Sequence, residues 1–412
     1  MIRRRQIIYV EGYDPQGASG YYGLFQAAMR RFLRAWPVKS DVEPLQLESE
    51  SFAHWSIGLS GPNWHVDTRY TFLRQEHIIS ANIAEPIPRQ VARSLVWMID
   101  SVVSGTMFRI FRASWRFALH LIYFHLLLLI WLAASLVAGW LVALAATHWI
   151  GLSGLWASSA GVVAAVAAFA LLRLQFNRWH VNQIINHWPL LRYFGRGDPS
   201  SFDRPIEDGA RRLIATAQAN DADEVVVVGH SGGGVLAPAI VARALALDPE
   251  LGRHGPAVVL LTLGSIMPGV ALHPGATAMR DIIRRLAVEP SILWIDCQSR
   301  KDVMNFYEFD PVEGIGVQAG AQRCNPLVWL VRFKDMVSPE LYRRLRRSFF
   351  RLHYQFIMAG DRRATYDYVM LTCGPWPVAE WAKRPDETLA GFAADASLSE
   401  SKAGNPSPAF AS

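Results

Sequence analysis

The sequence predicts an α/β protein: a mostly parallel sheet flanked by helices and interrupted by two membrane-spanning helices. Three observations carry this. Short β-branched runs alternate with amphipathic helical patterns outside one central region. The run EVVVV at 224–228 is apolar after its first residue, as strands buried on both faces of a parallel sheet are. Between Phe117 and Leu172 lie 56 residues without a single Asp, Glu, Lys or Arg.

Composition agrees. A chain of 412 residues fits one large domain, or one domain with an insertion. Hydrophobic residues make up 51% and charged residues 18%, against an ordinary charged share of about 25%. Mean hydropathy is +0.14. This excludes a disordered chain and leaves apolar residues to face lipid. The net charge of +6 comes almost wholly from Arg. No zinc-finger or RNA-recognition pattern accompanies it, so nucleic acid is not an expected partner; the positive charge is read as lying beside a membrane.

In chain order, Ile7–Val10 reads as a short buried strand. The apolar run after Arg3, Arg4 and Arg5 is too short for a signal peptide, whose apolar core needs roughly 7–15 residues. Gly20–Trp36 reads as an amphipathic helix stopped by Pro37. Ser56–Leu59 and Val66–Leu73 read as strands around Gly61-Pro62. Residues 1–112 then form the first part of the α/β domain, and residues 113–178 form the insertion.

Within the insertion we expect spans at 117–145 and 154–174, joined by a turn over Thr147–Gly154. One crossing needs about 20 apolar residues. Helices in soluble cores keep a polar face, and these do not. Trp115, Trp149, Trp156 and Trp179 fall near the expected interfaces. Arg109, Arg112 and Arg116 precede the pair, Arg173 and Arg178 follow it, and the turn carries no formal charge. The positive-inside rule then predicts a two-pass protein of the cell (inner) membrane with both termini cytoplasmic. His120 and His125 are functional candidates as ionisable residues at membrane depth, but their place near the cytoplasmic end of the first helix favours reaching the membrane interface. Cys297, Cys324 and Cys373 are far apart and odd in number, which fits a reducing compartment better than a disulfide framework.

Beyond the insertion, residues 179–384 form the second part of the α/β domain. A Gly-, Asp- and Pro-rich loop at Gly195–Pro205 leads to a helix from Ile206 to Asn220. Strands are expected at Glu224–Val228, Ala257–Leu263 and Ile292–Asp296, with helices at Val235–Leu247 and Ala276–Ala287 between them. Residues 385–412, rich in Ala, Ser, Gly and Pro, read as a disordered tail.

The sharpest motif is Gly229-His230-Ser231-Gly232-Gly233, a G-x-S-x-G directly after the EVVVV strand and before a helix. That context is what a nucleophile elbow requires. The tight turn lifts the Ser231 hydroxyl above the sheet edge, and the helix N-terminus presents N–H groups to developing negative charge. The bland alternative is a glycine-rich turn that packs helix on strand. A phosphate-binding loop is disfavoured because no Gly-Lys-Ser/Thr follows.

With these residues in place the chain, from Ile7 to Pro377, resembles the α/β-hydrolase superfamily, in its lipase and esterase branch. The resemblance implies an α/β-hydrolase fold and a triad in chain order Ser, Asp or Glu, His. Ser231 would be the nucleophile. His353 is the one His after Asp302 and would be the base. The acid would lie in the loop after the strand Ile292–Gln298, which makes it Asp302, with Asp310 of Asp310-Pro311-Val312 as alternative; Asp296 lies within the strand and reads as structural. The oxyanion hole would use the backbone N–H of Gly232 and a donor from Gly12 or Tyr13, where the family's usual His-Gly reads Glu11-Gly12. Two departures stand out. The large insertion precedes the elbow, whereas many members carry a cap after a later strand, and Asp302 is not followed by Pro.

The expected function is a membrane-anchored serine hydrolase that cleaves an ester or thioester through an acyl-enzyme. No metal and no organic cofactor are implied. Its partners would be the bilayer and a lipid or acyl-ester substrate. The alternatives are an acyltransferase and a catalytically silent hydrolase-fold scaffold.

Overall fold

The computed structural model describes residues 1–178 and 181–399. Among them, nine strands form one sheet: β1 (Arg4–Val10), β2 (Lys39–Val42), β3 (Gln46–Leu47), β4 (Phe52–Ser60), β5 (His65–Leu73), β6 (Glu224–His230), β7 (Ala257–Leu263), β8 (Ile292–Gln298) and β9 (Leu327–Leu330). Their order across the sheet is β2-β4-β5-β1-β6-β7-β8-β9, with β3 paired to β4. From β5 through β9 along that path the pairings are parallel. β2, β3 and β4 add an antiparallel edge.

Every residue of β6 is buried. Val225 and Val227 enter the core on one face of the sheet, Val226 and Val228 on the other. A strand's side chains alternate between faces, so a strand covered on both sides needs apolar residues throughout. Tyr21, Phe25, Met29 and Phe32 of the helix Gly17–Ala35 cover one face. Val235, Ile240 and Ala244 of the helix Gly233–Leu247 cover the other.

The starts of β1 and β6 are clamped together. Arg5 and Glu224 are each 1% exposed, with Arg5 Nε 2.8 Å from Glu224 Oε2. Arg5 also donates to the carbonyls of Gly374 at 2.8 Å and Trp376 at 2.7 Å, and Glu224 Oε1 accepts from Val378 N at 3.0 Å. Nearly every polar atom of the pair is satisfied, the condition under which a buried ion pair holds.

Among the described residues, two helices are long and apolar enough to cross a membrane, Trp115–His148 and Gly154–Arg178. The first has 34 residues, about 51 Å at 1.5 Å per residue, against a hydrocarbon core of about 30 Å. Its excess length lies at the start, where Phe117, Ala118, Leu121, Phe124 and Leu128 are buried in the same core as β6. His120 and His125 therefore do not reach outward as the sequence led us to expect. Both are buried; His125 Nδ1 donates to the Leu121 carbonyl at 2.8 Å and its ring stacks on Trp97. Trp115, Trp149 and Trp156 are exposed near the helix ends. Trp179 lies outside the described residues.

The expected disordered tail does not begin at Pro385. Pro385–Ala390 is a helix, and Phe392 and Leu398 form a buried antiparallel bridge. Phe392 meets Trp36 edge-on at 5.1 Å, and Trp64 Nε1 donates to the Ala396 carbonyl at 2.8 Å. A few apolar anchors outweigh the small-residue composition. Residues 400–412 lie outside the described residues.

The two apolar helices touch backbone to backbone. A Cβ on Gly139 would stand 2.5 Å from the Gly161 carbonyl oxygen, and one on Gly161 would stand 2.7 Å from the Gly139 carbonyl oxygen. Small residues permit such approach in lipid, where no hydrophobic effect drives helices together. Gly139→Leu is therefore expected to destabilise the detergent-solubilised protein by about 1–3 kcal/mol, as overpacking does. Val137→Leu, on the exposed face, should leave the Tm unchanged. Equal Tm values for wild type and Gly139→Leu would refute the tight contact.

Candidate functional site

β1 and β6 are parallel neighbours, with Val10 opposite Gly229. Their following helices pack on opposite faces of the sheet. Open α/β sheets bind ligands in the crevice at such divergences, beyond the carboxyl ends of the strands. Here the crevice is a cavity of about 350 Å³ lined by Gly12, Tyr13, Ser231 and His353 together with apolar side chains.

Ser231 sits at the strand-to-helix turn with φ +58, a left-handed conformation that costs a non-glycine residue about 1–2 kcal/mol. Its backbone is fixed from both sides: Ser231 N donates to the Leu263 carbonyl at 3.0 Å, and Gly234 N donates to the Ser231 carbonyl at 3.0 Å. The turn fits because Gly233 has no side chain. A Cβ there would stand 2.0 Å from the Val10 carbonyl oxygen. Strain held this firmly points to a functional position.

His353 and Asp302 meet in the same place. His353 Nδ1 lies 2.7 Å from Asp302 Oδ2, with side-chain exposures of 3% and 0%. Asp302 Oδ1 accepts from Met304 N at 2.9 Å. Asn305 stitches the loop, donating to the carbonyls of Ser299 at 2.9 Å and Asp302 at 2.8 Å. With Nδ1–H donating to Asp302, Nε2 is left as the accepting nitrogen. It is buried and has no hydrogen-bond partner among the described residues. Asp310 goes elsewhere: it accepts from Val312 N at 2.8 Å and pairs with Arg323 at 2.7 Å. Asp296 bonds Thr262 and Gln298 inside the sheet.

Gly12, Tyr13 and Gly232 are gathered beside Ser231. A Cβ on Gly12 would stand 3.1 Å from Ser231 Cβ and 3.5 Å from Gly232 N. A Cβ on Gly232 would stand 3.3 Å from Tyr13 N. Glu11, directly before, is buried and accepts from Gln75 N at 3.2 Å, which ties this loop to the residues after β5. Burial, and after it the nearby carboxylates of Glu76 and Asp14, hold the Glu11 carboxyl well above its usual range.

Several residues at the site were not foreseen. The helix Val181–Arg196 brings Ile184, His187 and Trp188 to the cavity. The His187 ring stacks on Tyr13 at 4.7 Å and crowds Gly232, where a Cβ would meet its Cε1 at 2.7 Å. The apolar spacing of Ile184, Trp188 and Leu191 was the available signal, but Pro189 inside the helix masks it. Tyr354 donates to Asp14 at the cavity rim. His120, from the first apolar helix, also lines the cavity. His230 packs its ring 4.6 Å from that of His353; burial, and then the neighbouring His353, lower its pKa well below the ordinary value. Among the described residues, no group of three or more His, Cys, Asp or Glu is placed to hold a metal ion.

Comparisons with protein-family models, with curated proteins and with solved structures find no match to this chain. The described residues form an α/β domain with a mostly parallel sheet, joined to two apolar helices of membrane-spanning length.

Burial lowers the His187 pKa from 6.5 to about 3. The folded state thus keeps His187 neutral where the unfolded chain takes a proton. Its contribution to stability is complete above pH 6.5 and is lost as pH falls from there toward about 3, by at most about 1.4 kcal/mol per pH unit. The Tm of wild type should therefore drop more steeply on acidification than that of His187→Phe. Parallel Tm curves for the two proteins would show that His187 titrates normally.

Proposed function

We propose that the protein is a membrane-anchored serine hydrolase that cleaves a carboxylic ester or thioester of a lipid or other acyl compound. One observation carries the reading: strained Ser231 opens onto the same cavity as His353, whose Nδ1 is held at 2.7 Å by buried Asp302. In this mechanism Ser231 Oγ attacks the substrate carbonyl while His353 Nε2 takes the hydroxyl proton. Asp302 orients the imidazole and stabilises its cation. The N–H groups of Gly232 and Tyr13 receive the oxyanion. His353 then gives the proton to the leaving alcohol or thiol. Water, deprotonated by the same imidazole, releases the acid from the acyl-enzyme.

The acyl preference rests on the cavity wall. Phe117 and Leu121 come from the first apolar helix, and Ile184, Trp188, Ile266 and Met304 complete an apolar lining. A chain leaving the bilayer along that helix would meet Ser231 without crossing water. Arg109, Arg112 and Arg116 before the pair, and Arg173 and Arg178 after it, favour a cytoplasmic catalytic domain.

A fluorophosphonate probe should label wild type and not Ser231→Ala, and Ser231→Ala should lose at least about three orders of magnitude in p-nitrophenyl ester turnover. Asp302→Asn should lose a comparable factor, about three to four orders of magnitude, while Asp310→Asn keeps near-normal turnover. Failure of wild type to label would favour the silent scaffold, and unchanged turnover in purified Ser231→Ala would end the hydrolase reading. For topology, a phosphatase fused after Gly151 should be active outside the cytoplasm and one fused after Arg178 silent. The opposite pattern would invert the orientation.

A further inference from the structure

The segment just before the first apolar helix is built inside out. Ile87–Val103 is a helix whose buried residues are Gln90, Ser94, Trp97 and Ser101. Three of the four are polar. Its outward face carries Val96 at 54%, Ile99 at 63%, Val102 at 67% and Val103 at 81% exposure. A helix on a water-facing surface has the reverse arrangement. The next helix, Thr106–Ala113, meets it at 74° and continues the pattern, with Phe108 at 65% and Phe111 at 48% exposure.

The inner face is fastened to the domain. Asp100 accepts from Arg192 Nε at 2.7 Å and lies 2.9 Å from His273 Nε2. Asn186 donates to Gln90 Oε1 at 2.9 Å, and Trp97 packs against Trp188. A helix held along its length by such bonds lies on the domain and does not cross a bilayer independently. Its outer edge still needs an apolar neighbour. Only Ser114 separates Thr106–Ala113 from the apolar helix Trp115–His148, so the exposed edge runs straight into the membrane-spanning surface. Basic groups border it. The Arg112 guanidinium stands over the Phe108 ring at 6.0 Å, and that of Arg116 over the Trp115 ring at 5.3 Å.

We propose that the bent pair Ile87–Ala113 lies in the lipid leaflet that faces the domain. It would insert Val96, Ile99, Val102, Val103, Phe108 and Phe111 to about 5–10 Å, the depth of the headgroup–acyl boundary. Trp97 and Trp188 link it to the cavity wall, so the leaflet and the cavity are held in one fixed relation. The inference rests on the membrane reading of the two long helices and is independent of the hydrolase chemistry.

Depth-dependent quenching tests it in the full chain. Single cysteines replace Val103, Phe108, Val137 or Glu250 in a Cys324→Ser background; Cys297 and Cys373 are buried. Each carries an environment-sensitive fluorophore, and the protein is reconstituted in phosphatidylcholine vesicles with a nitroxide near either the headgroup end or the methyl end of the acyl chain. Labels at 103 and 108 should be quenched severalfold more by the shallow nitroxide than the label at 250. The label at 137 should respond to the deep one. Labels at 103 and 108 that behave like 250, while 137 stays deep, would overturn the inference and leave the membrane reading standing; another macromolecule would then cover the face. Deep quenching at 103 would make the segment a third crossing and also overturn it. Loss of quenching at 137 as well would remove the membrane reading itself.

Discussion

The contact that organises this molecule is the meeting of β1 and β6 at their carboxyl ends. Gly233 approaches the Val10 carbonyl so closely that a Cβ would stand 2.0 Å from that oxygen. Three features follow from this approach. The chain must turn sharply at Ser231, which accepts φ +58. The loop Glu11–Tyr13 is brought against the turn. The helices after the two strands must leave on opposite faces, and so a crevice opens between them. At the other end of the same strands, the buried Arg5–Glu224 pair fixes their register and ties in the chain near Gly374 and Trp376. Opening that pair from one side would cost about 3–5 kcal/mol.

The insertion lies between β5 and β6, so it enters the domain beside this crevice and not at a remote edge. The first apolar helix is longer than a bilayer core requires, and its surplus turns are spent inside the domain. Phe117 and Leu121 thereby serve two surroundings at once: they anchor the helix in the core and they wall the cavity. The helix that follows the pair, Val181–Arg196, adds Ile184, His187 and Trp188 to the wall, with Trp188 packed edge-on against Phe117. In the proposed reaction, anchoring and substrate access are thus one structural feature.

Much of this was legible in the residues, and the reasons are specific. Val225–Val228, Ala257–Leu261 and Ile292–Ile295 are unbroken apolar runs, and only a strand covered on both faces needs that. The elbow was legible because Gly229, Ser231 and Gly233 have fixed spacing. Asp302 and His353 were reached through the family resemblance, and the structure pairs them. The edge strands β2, β3 and β9 escaped notice because they are short and half-exposed. Ile87–Ala113 was missed because its amphipathic pattern is inverted, and Val181–Arg196 because Pro189 interrupts it. Trp36 and Trp64, which hold the stretch after Pro385, lie more than 300 residues away in sequence; local composition could not reveal that packing.

The protonation states around the crevice complete the picture. His187 and His230 are held neutral by burial, and Glu11 is held toward its protonated form. In the proposed mechanism the imidazole of His353 becomes a cation in each half-reaction. Were His230 also charged, two positive rings with centroids 4.6 Å apart would repel by about 3–4 kcal/mol at an effective dielectric near 20. That is roughly two to three orders of magnitude in rate. A charged Glu11 beside the oxyanion loop would oppose the developing negative charge in the same way. In that mechanism desolvation therefore silences His230 and Glu11, groups that would interfere, while Asp302 meets the proposed base at 2.7 Å. In the proposed reaction, the apolar packing that would receive an acyl chain also sets the electrostatics under which Ser231 would react.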